Sequence, residues 1–279
     1  MIKKKQPLHI PAYIVLIALV VVFVFPLLII LMNSFKGKLY ISENLFGFIN
    51  GESFVGFDNY ATSIGRMNFF SALGTSVFVT VVSTALICVL CSMSAWYIVR
   101  IKNKITSALY YMFVFSMIVP FQMVMFTTSW VSNQLGLGNP WGLLLLYIGF
   151  GAGMSVFMFT GFVKSVPLEI EEAAYMDGCG PLKTFFVIVF PVLRPAIVTV
   201  GILIIMWIWN DYLLPLLVLD SKYTTLPIAI QKINTGGYGA RDMGGLMSML
   251  TLSIIPIIIA YVAAQKYIIE GVVAGAVKG

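Results

Sequence analysis

The chain has 279 residues and a formal net charge of +6, with 60% of residues apolar and only 10% charged, where a soluble domain carries roughly 25% charged residues. Polar groups this scarce cannot cover a soluble surface, so composition excludes a soluble globular domain and leaves an integral membrane protein. The basic residues lie in short connections between apolar runs rather than interleaved with aromatics in a patch, which excludes nucleic acid as the meaning of the charge.

Six windows reach the roughly 20 apolar residues that a membrane helix needs. The first, Ala12 to Met32, follows Lys3, Lys4 and Lys5. Its apolar stretch is longer than a signal core, and Asn33-Ser34-Phe35 follows it in place of a small-residue cleavage site. It is expected to remain as a span, so 1–32 is a tail plus first helix. The polar, Gly-rich segment 33–70 comes next, with Phe57 and Tyr60 as candidate packing anchors. The second, third and fourth windows are Leu73 to Val99, Ala108 to Trp130 and Gly142 to Val163. A long connection, 164–195, leads to the fifth, Ala196 to Leu219. The segment Asp220 to Gly245 carries Gly236-Gly237-Tyr238-Gly239, read as a loop, and precedes the sixth window, Leu246 to Ile268. A core at 71–268 and a tail at 269–279 complete the division. Pro120, Pro191, Pro215 and Pro256 are candidate kinks or helix ends. Cys88 and Cys91 lie within the second window and Cys179 in the long connection. With one histidine, His9, they make no zinc-ligand set, and three free thiols are expected.

Charge orients the spans. With the amino terminus inside, eleven of the 17 Lys and Arg residues fall on inner segments and six on outer ones. The inner set is Lys3, Lys4, Lys5, Arg100, Lys102, Lys104, Lys164, Lys183, Arg194, Lys266 and Lys278. Positive-inside bias therefore places both termini, and the 164–195 loop, in the cytoplasm.

That loop has the marks of a short helix. Ser165 is a candidate N-cap, Pro167 suits a first turn, and Glu169, Glu171 and Glu172 would sit at the positive end of the helix dipole. Gly178 can take the left-handed conformation that ends a helix, and Gly180-Pro181 turns the chain toward a second amphipathic stretch, Leu182 to Phe190. Ile170, Ala173 and Ala174 share a face flanked by carboxylates. A helix lying on the membrane surface should be basic, and this one is acidic, which favours docking into a protein groove.

At these residues the chain resembles the permeases of bacterial ATP-binding-cassette importers. Their Glu-Ala-Ala motif, a Gly four residues after the last Ala, and an apolar-x-apolar-Pro ending correspond here to Glu172-Ala173-Ala174, Gly178 and Ile188-Val189-Phe190-Pro191. Phe190 departs from the usual Leu. Gly56-Phe57-Asp58-Asn59-Tyr60, Trp209-Asn210-Asp211-Tyr212-Leu213-Leu214-Pro215 and the ending from Gly271 are similar to the carbohydrate branch, in particular the smaller maltose-type permease. The resemblance implies an all-α membrane fold of the type I importer kind, with six transmembrane helices. It implies a heterodimer with a second permease subunit, two cytoplasmic ATPase subunits and an extracytoplasmic sugar-binding protein. Glu172, Ala173, Ala174, Asp177 and Gly178 would couple to an ATPase subunit. The tail Gly275, Ala276, Val277, Lys278 and Gly279 would reach between the two ATPases.

No Gly-x-x-x-x-Gly-Lys-[Ser/Thr] run occurs, so no nucleotide cofactor is expected in this chain and Mg-ATP belongs to the partner ATPases. The chain is expected to be a transport subunit and not an enzyme. Trp209, Asn210, Asp211 and Tyr212 are candidates for a substrate path, since an ionisable group at membrane depth is a functional candidate. Two readings of Asp211 stand: a substrate contact, or a cap at a helix break near the outer interface. Trp207, Trp209 and Tyr212 fit either stacking on sugars or an interfacial aromatic belt. An ion-coupled transporter would show paired intramembrane charges or matching halves, and neither is visible. A permease for a polar non-sugar solute is the alternative within the same family.

Overall fold

A computed structural model of the chain describes residues 10–237 and 241–276, with side chains described for 11–237, 241–263, 265 and 266. Of the expected tail contacts, Val277, Lys278 and Gly279 lie outside the described residues, as does the side chain of Ala276. The described chain is helical. In order the helices are α1 (Ile10–Asn33), α2 (Lys38–Glu43), α3 (Asp58–Arg66), α4 (Phe69–Arg100), α5 (Lys104–Ile118), α6 (Phe121–Gln134) and α7 (Pro140–Val163). Then come α8 (Glu169–Met176), α9 (Pro181–Thr184), a π-helical turn Phe185–Val189, α10 (Phe190–Val192), α11 (Arg194–Asn210), α12 (Leu213–Val218), α13 (Leu226–Thr235) and α14 (Met243–Ala276).

Four helices are long and apolar enough to cross a membrane alone: Pro11–Asn33, Phe69–Arg100, Pro140–Val163 and Met243–Ala263. The third sequence window is not a single straight helix, and the fifth, Ala196 to Leu219, is interrupted at Asp211 and Tyr212 with a further bend just before it. α5 and α6 meet at a 104° bend, and the segments Pro181–Val192 and Arg194–Asn210 at a 78° bend, giving six crossings when each bent pair counts as one. Proline explains both. Val119, before Pro120, is pushed into the extended region (φ −78°, ψ 111°), so α5 must end there. At the second bend Leu193 leaves regular helix geometry (φ −76°, ψ 2°), and Pro195, in the first turn of α11, has no N–H to carry hydrogen bonding across it; the π-helical turn, in which Phe190 N–H reaches the Phe185 carbonyl, lies before the bend. Pro215 and Pro256 instead sit inside α12 and α14.

The chain forms two compact units. The larger, 70–229 with 259–279, holds the hydrophobic core, built from Ile87 and Trp96 of α4, Tyr147, Phe159 and Val163 of α7, Phe185, and Val200 and Ile204 of α11. Without a hydrophobic driving force in lipid, these helices depend on close approach. Gly153 of α7 shows it: a β-carbon there would lie 2.5 Å from Ser116 Oγ and 2.7 Å from the Phe113 carbonyl of α5. Cys88 and Cys91 are free and buried in this core, and Cys179 is free and half-buried.

The smaller unit joins residues up to 69 with 230–258. Here the last turn of α1 is locked to the segment that follows. Ser34 Oγ lies 2.6 Å from the Tyr60 hydroxyl, and Asn33 Nδ2 donates to the Leu45 carbonyl at 2.9 Å. The Lys36 ammonium, fully buried, donates to the carbonyls of Asn44 and Gly47. Asn59 Nδ2 donates to the Ser34 and Lys36 carbonyls, each at 2.8 Å. Of the two expected anchors, Tyr60 is buried, whereas Phe57 stays exposed while its ring meets Phe35 edge-on at 5.5 Å. Gly236 and Gly237 form the turn after α13, donating to the Ile233 and Lys232 carbonyls, while Tyr238 and Gly239 lie outside the described residues.

Candidate functional site

The 164–195 connection begins where α7 ends. Ser165 does not cap α8. Its hydroxyl donates back to the Phe162 carbonyl at 2.8 Å, and α8 starts at Glu169. Pro167 gives a reason: Val166, which would be the first helical residue after a Ser165 cap, precedes a proline and is disfavoured in the helical region. The three acids Glu169, Glu171 and Glu172 do occupy the first turn of α8, where the helix dipole favours them. At the other end Gly178 sits at φ +77°. Cys179 N–H reaches the Ala174 carbonyl at 2.9 Å and Gly178 N–H the Tyr175 carbonyl at 3.0 Å, the paired closure of a Schellman motif. A β-carbon at Gly178 would meet nothing within 4 Å, so its requirement is purely one of backbone conformation.

What fixes α8 to the membrane core is Glu171. Its side chain is buried at 1% exposure. Trp96 Nε1 donates to one carboxylate oxygen at 2.9 Å, and Arg100 Nη2 donates to the other at 2.6 Å, with Nε of Arg100 between both. Trp96 and Arg100 are four residues apart on the last turns of α4 and so present one face. Arg100 Nη2 also donates to the Val166 carbonyl at 2.9 Å, tying down the start of the loop. The Trp96 ring packs on Phe185 at 5.6 Å, closing the other side. A buried carboxylate is tolerable only when paired and hydrogen-bonded, and here a planar guanidinium meets it two-pronged while an indole takes a further lone pair.

This clamp divides the face expected from Ile170, Ala173 and Ala174. Ile170 packs on the core, and Ala174, three residues after Glu171 and hence on the same side, is buried within the chain. Ala173, Glu172, Asp177 and Gly178 are exposed, together with Tyr175 and Met176, the last at 88%. The surface open to a partner is therefore Glu172-Ala173-Tyr175-Met176-Asp177-Gly178, with Ala174 beneath it. Sequence reasoning missed the roles of Glu171, Arg100 and Trp96. The signal available was an Arg closing an apolar run and a doubled Glu in the loop helix.

A second feature gathers at the helix breaks. Asp211 is the first of the two residues between α11 and α12. Its Oδ1 accepts the Leu213 N–H at 3.0 Å, and its Oδ2 accepts the Tyr147 hydroxyl at 2.9 Å. It is thus a cap tied to α7. Tyr147 in turn meets the Trp207 ring edge-on at 5.4 Å. Beside this break and the Pro120 break lies a cleft of about 570 Å³, lined by Gln122, Phe150, Met154, Trp207, Asp211 and Leu213 among others. Trp209, Asn210 and Tyr212 do not line it; the Asn210 amide donates within α11 to the Met206 carbonyl at 2.7 Å. Gln122 was legible as the polar residue just past a proline in an apolar run.

An all-helical membrane subunit with two proline-broken crossings and an acidic loop helix clamped to a span end defines a polytopic permease. The chain belongs to the family described as the binding-protein-dependent transport system inner membrane component, which matches residues 89–273. It is an inner-membrane component of an ABC transporter. It is 36% identical, over 69% of this chain and 70% of the other, to the probable starch degradation products transport system permease of Thermoanaerobacterium thermosulfurigenes. It is 38% identical to the multiple sugar-binding transport system permease of Streptococcus mutans, over 63% of this chain and 64% of that one. The melibiose/raffinose/stachyose import permease of Bacillus subtilis is 33% identical over 70% and 71%. In fold it matches a chain of a bacterial ABC transporter involved in import of the acidic polysaccharide alginate, with TM-score 0.77, 18% identity, and coverage of 96% of this chain and 98% of that chain.

Proposed function

We propose that this permease translocates a sugar or oligosaccharide delivered by an extracytoplasmic binding protein, driven by ATP hydrolysis in partner subunits. Both termini and the α8 loop face the cytoplasm in this reading, which the distribution of Lys and Arg supports. The functional unit is a heterodimer with a second permease subunit, carried on two ATPase subunits that hold Mg-ATP. Three relatives with sugar transport in their names support the substrate class.

The observation that carries the coupling role is the buried Arg100–Glu171 pair. It makes α8 an extension of the end of α4, so force applied to its exposed face, Glu172, Ala173, Asp177 and Gly178, passes into a membrane helix without slack. ATPase closure then moves α8, and the bundle changes the side to which its cleft is open. The tail from Gly275 to Gly279 reaches the ATPases, as the resemblance implies. Asp211 and Trp207 at the helix breaks, with Gln122, form the substrate path, since broken helices bring polar backbone and side chains to a cavity wall.

Co-purification in mild detergent tests this reading. An ATPase subunit should accompany the chain, and its hydrolysis should rise with one sugar plus its binding protein. Recovery without an ATPase overturns the importer reading, and stimulation only by non-sugar solutes overturns the substrate class.

A further inference from the structure

Beside the Arg100–Glu171 clamp, the ends of three membrane helices form a separate cleft. It has a volume of about 730 Å³ and is walled by Arg100, Lys102, Tyr110, Tyr111, Lys164 and Tyr175, with the hydroxyl of Ser107 also on its surface. Its charge is unbalanced. Glu171 is the one carboxylate on the wall, and both its oxygens are already taken by Trp96 and Arg100. Lys102 and Lys164 are exposed and make no side-chain hydrogen bond or ion pair among the described residues.

Position narrows the ligand. Arg100 is the last residue of α4, Lys164 the first after α7, and Lys102 lies two residues before α5. The three cations therefore stand where spanning helices leave the hydrocarbon, at headgroup depth. Basic pockets between membrane helices at that depth suit lipid phosphates. α5 also offers an apolar surface to an acyl chain, with Ile105 at 71%, Tyr111 at 68% and Met112 at 67% exposure. A soluble phosphate would use the cations and hydroxyls but not that surface.

We propose that this cleft binds the phosphate of an anionic phospholipid headgroup, with Lys102 and Lys164 as its charge partners and the tyrosine and serine hydroxyls as neutral donors. The bound headgroup stands beside Arg100 and therefore beside the joint between α4 and α8. The site is independent of which solute is transported.

The test is native mass spectrometry of the intact, co-purified transporter during titration with phosphatidylglycerol or phosphatidylcholine. Phosphatidylglycerol should be retained at least about tenfold better, and Lys102→Gln/Lys164→Gln should bring the two lipids to near parity. Both lysines are exposed, so an unchanged melting temperature is expected of that variant. Lys38→Gln/Lys183→Gln, with the same loss of charge from exposed positions elsewhere, should keep the preference. Equal retention of the two lipids, or equal loss of preference in the two double variants, overturns the proposal. So does displacement of the lipid by millimolar inorganic phosphate, which assigns the cleft to a soluble anion.

Discussion

Two membrane helices of this chain end by seizing the loop beyond them, and they do so by different chemistry. The end of α1 uses Asn33, Ser34 and Lys36 against backbone carbonyls and a tyrosine hydroxyl. The end of α4 uses Trp96 and Arg100 against a single carboxylate, Glu171. Carbonyl acceptors are supplied by any backbone, so the first lock holds a shape through many small bonds. The second concentrates the same task in one ion pair, which makes it stiff and vulnerable at one point. The lesson is that the same task, fixing a loop to a helix end, can be spread over many groups or concentrated in one.

The sharpest way to break the comparison is Glu171→Ala. Arg100 would be left with an unpaired, largely buried charge, at a cost of about 3–5 kcal/mol. A large fall in melting temperature in detergent is expected, with loss of transport. The paired change Arg100→Met/Glu171→Leu should regain most of the stability, because no lone charge remains, yet transport should stay impaired if stiffness at the joint matters. Full transport in the paired variant would sink the idea that the ion pair transmits force.

Gly178→Val comes next. A β-branched residue at φ +77° is strained by roughly 1–2 kcal/mol or more. The chain should still assemble, while ATP hydrolysis no longer drives uptake. Comparing hydrolysis and uptake in the same vesicles reads the uncoupling directly, and normal uptake would remove α8 from the coupling path.

Asp211→Ala should cost about 1 kcal/mol through loss of the α12 cap. Asp211→Asn keeps a capping oxygen and should be milder in melting temperature. If Asp211 also touches solute, Asn should still alter the KM for uptake; a KM unchanged by Asn assigns the residue to the cap alone. The smallest effect is expected from Tyr60→Phe in the distributed lock. Losing one hydroxyl bond to Ser34 should cost about 1 kcal/mol, with the ratio of transport to hydrolysis unchanged.

Much of this was legible from the chain. Apolar runs located the crossings because lipid demands them, and Pro120 marked the break between α5 and α6 because the residue before a proline leaves the helical region. Gly178 was readable as a helix end. Ser165 misled, because Pro167 disfavours helical geometry at Val166, where a helix capped by Ser165 would have to begin. Glu171 could not be separated from Glu169 and Glu172 by composition, as its role depends on Arg100, 71 positions earlier. The division of Ala173 from Ala174 had the same origin: helical spacing groups residues on a face, but the tertiary partner decides which edge of it turns inward. The cleft beside Asp211 collects residues from five separate helices, which no local pattern reveals.

The apolar stretch of α1 differs from those of α4 and α7 in one respect: none of it is buried against the chain, whereas half of theirs is. It is also the most apolar of the four. Within this chain such a segment makes no demand on the other helices when it enters the bilayer. During synthesis it can anchor the growing polypeptide at the translocon exit, while the broken crossings that follow still wait for one another.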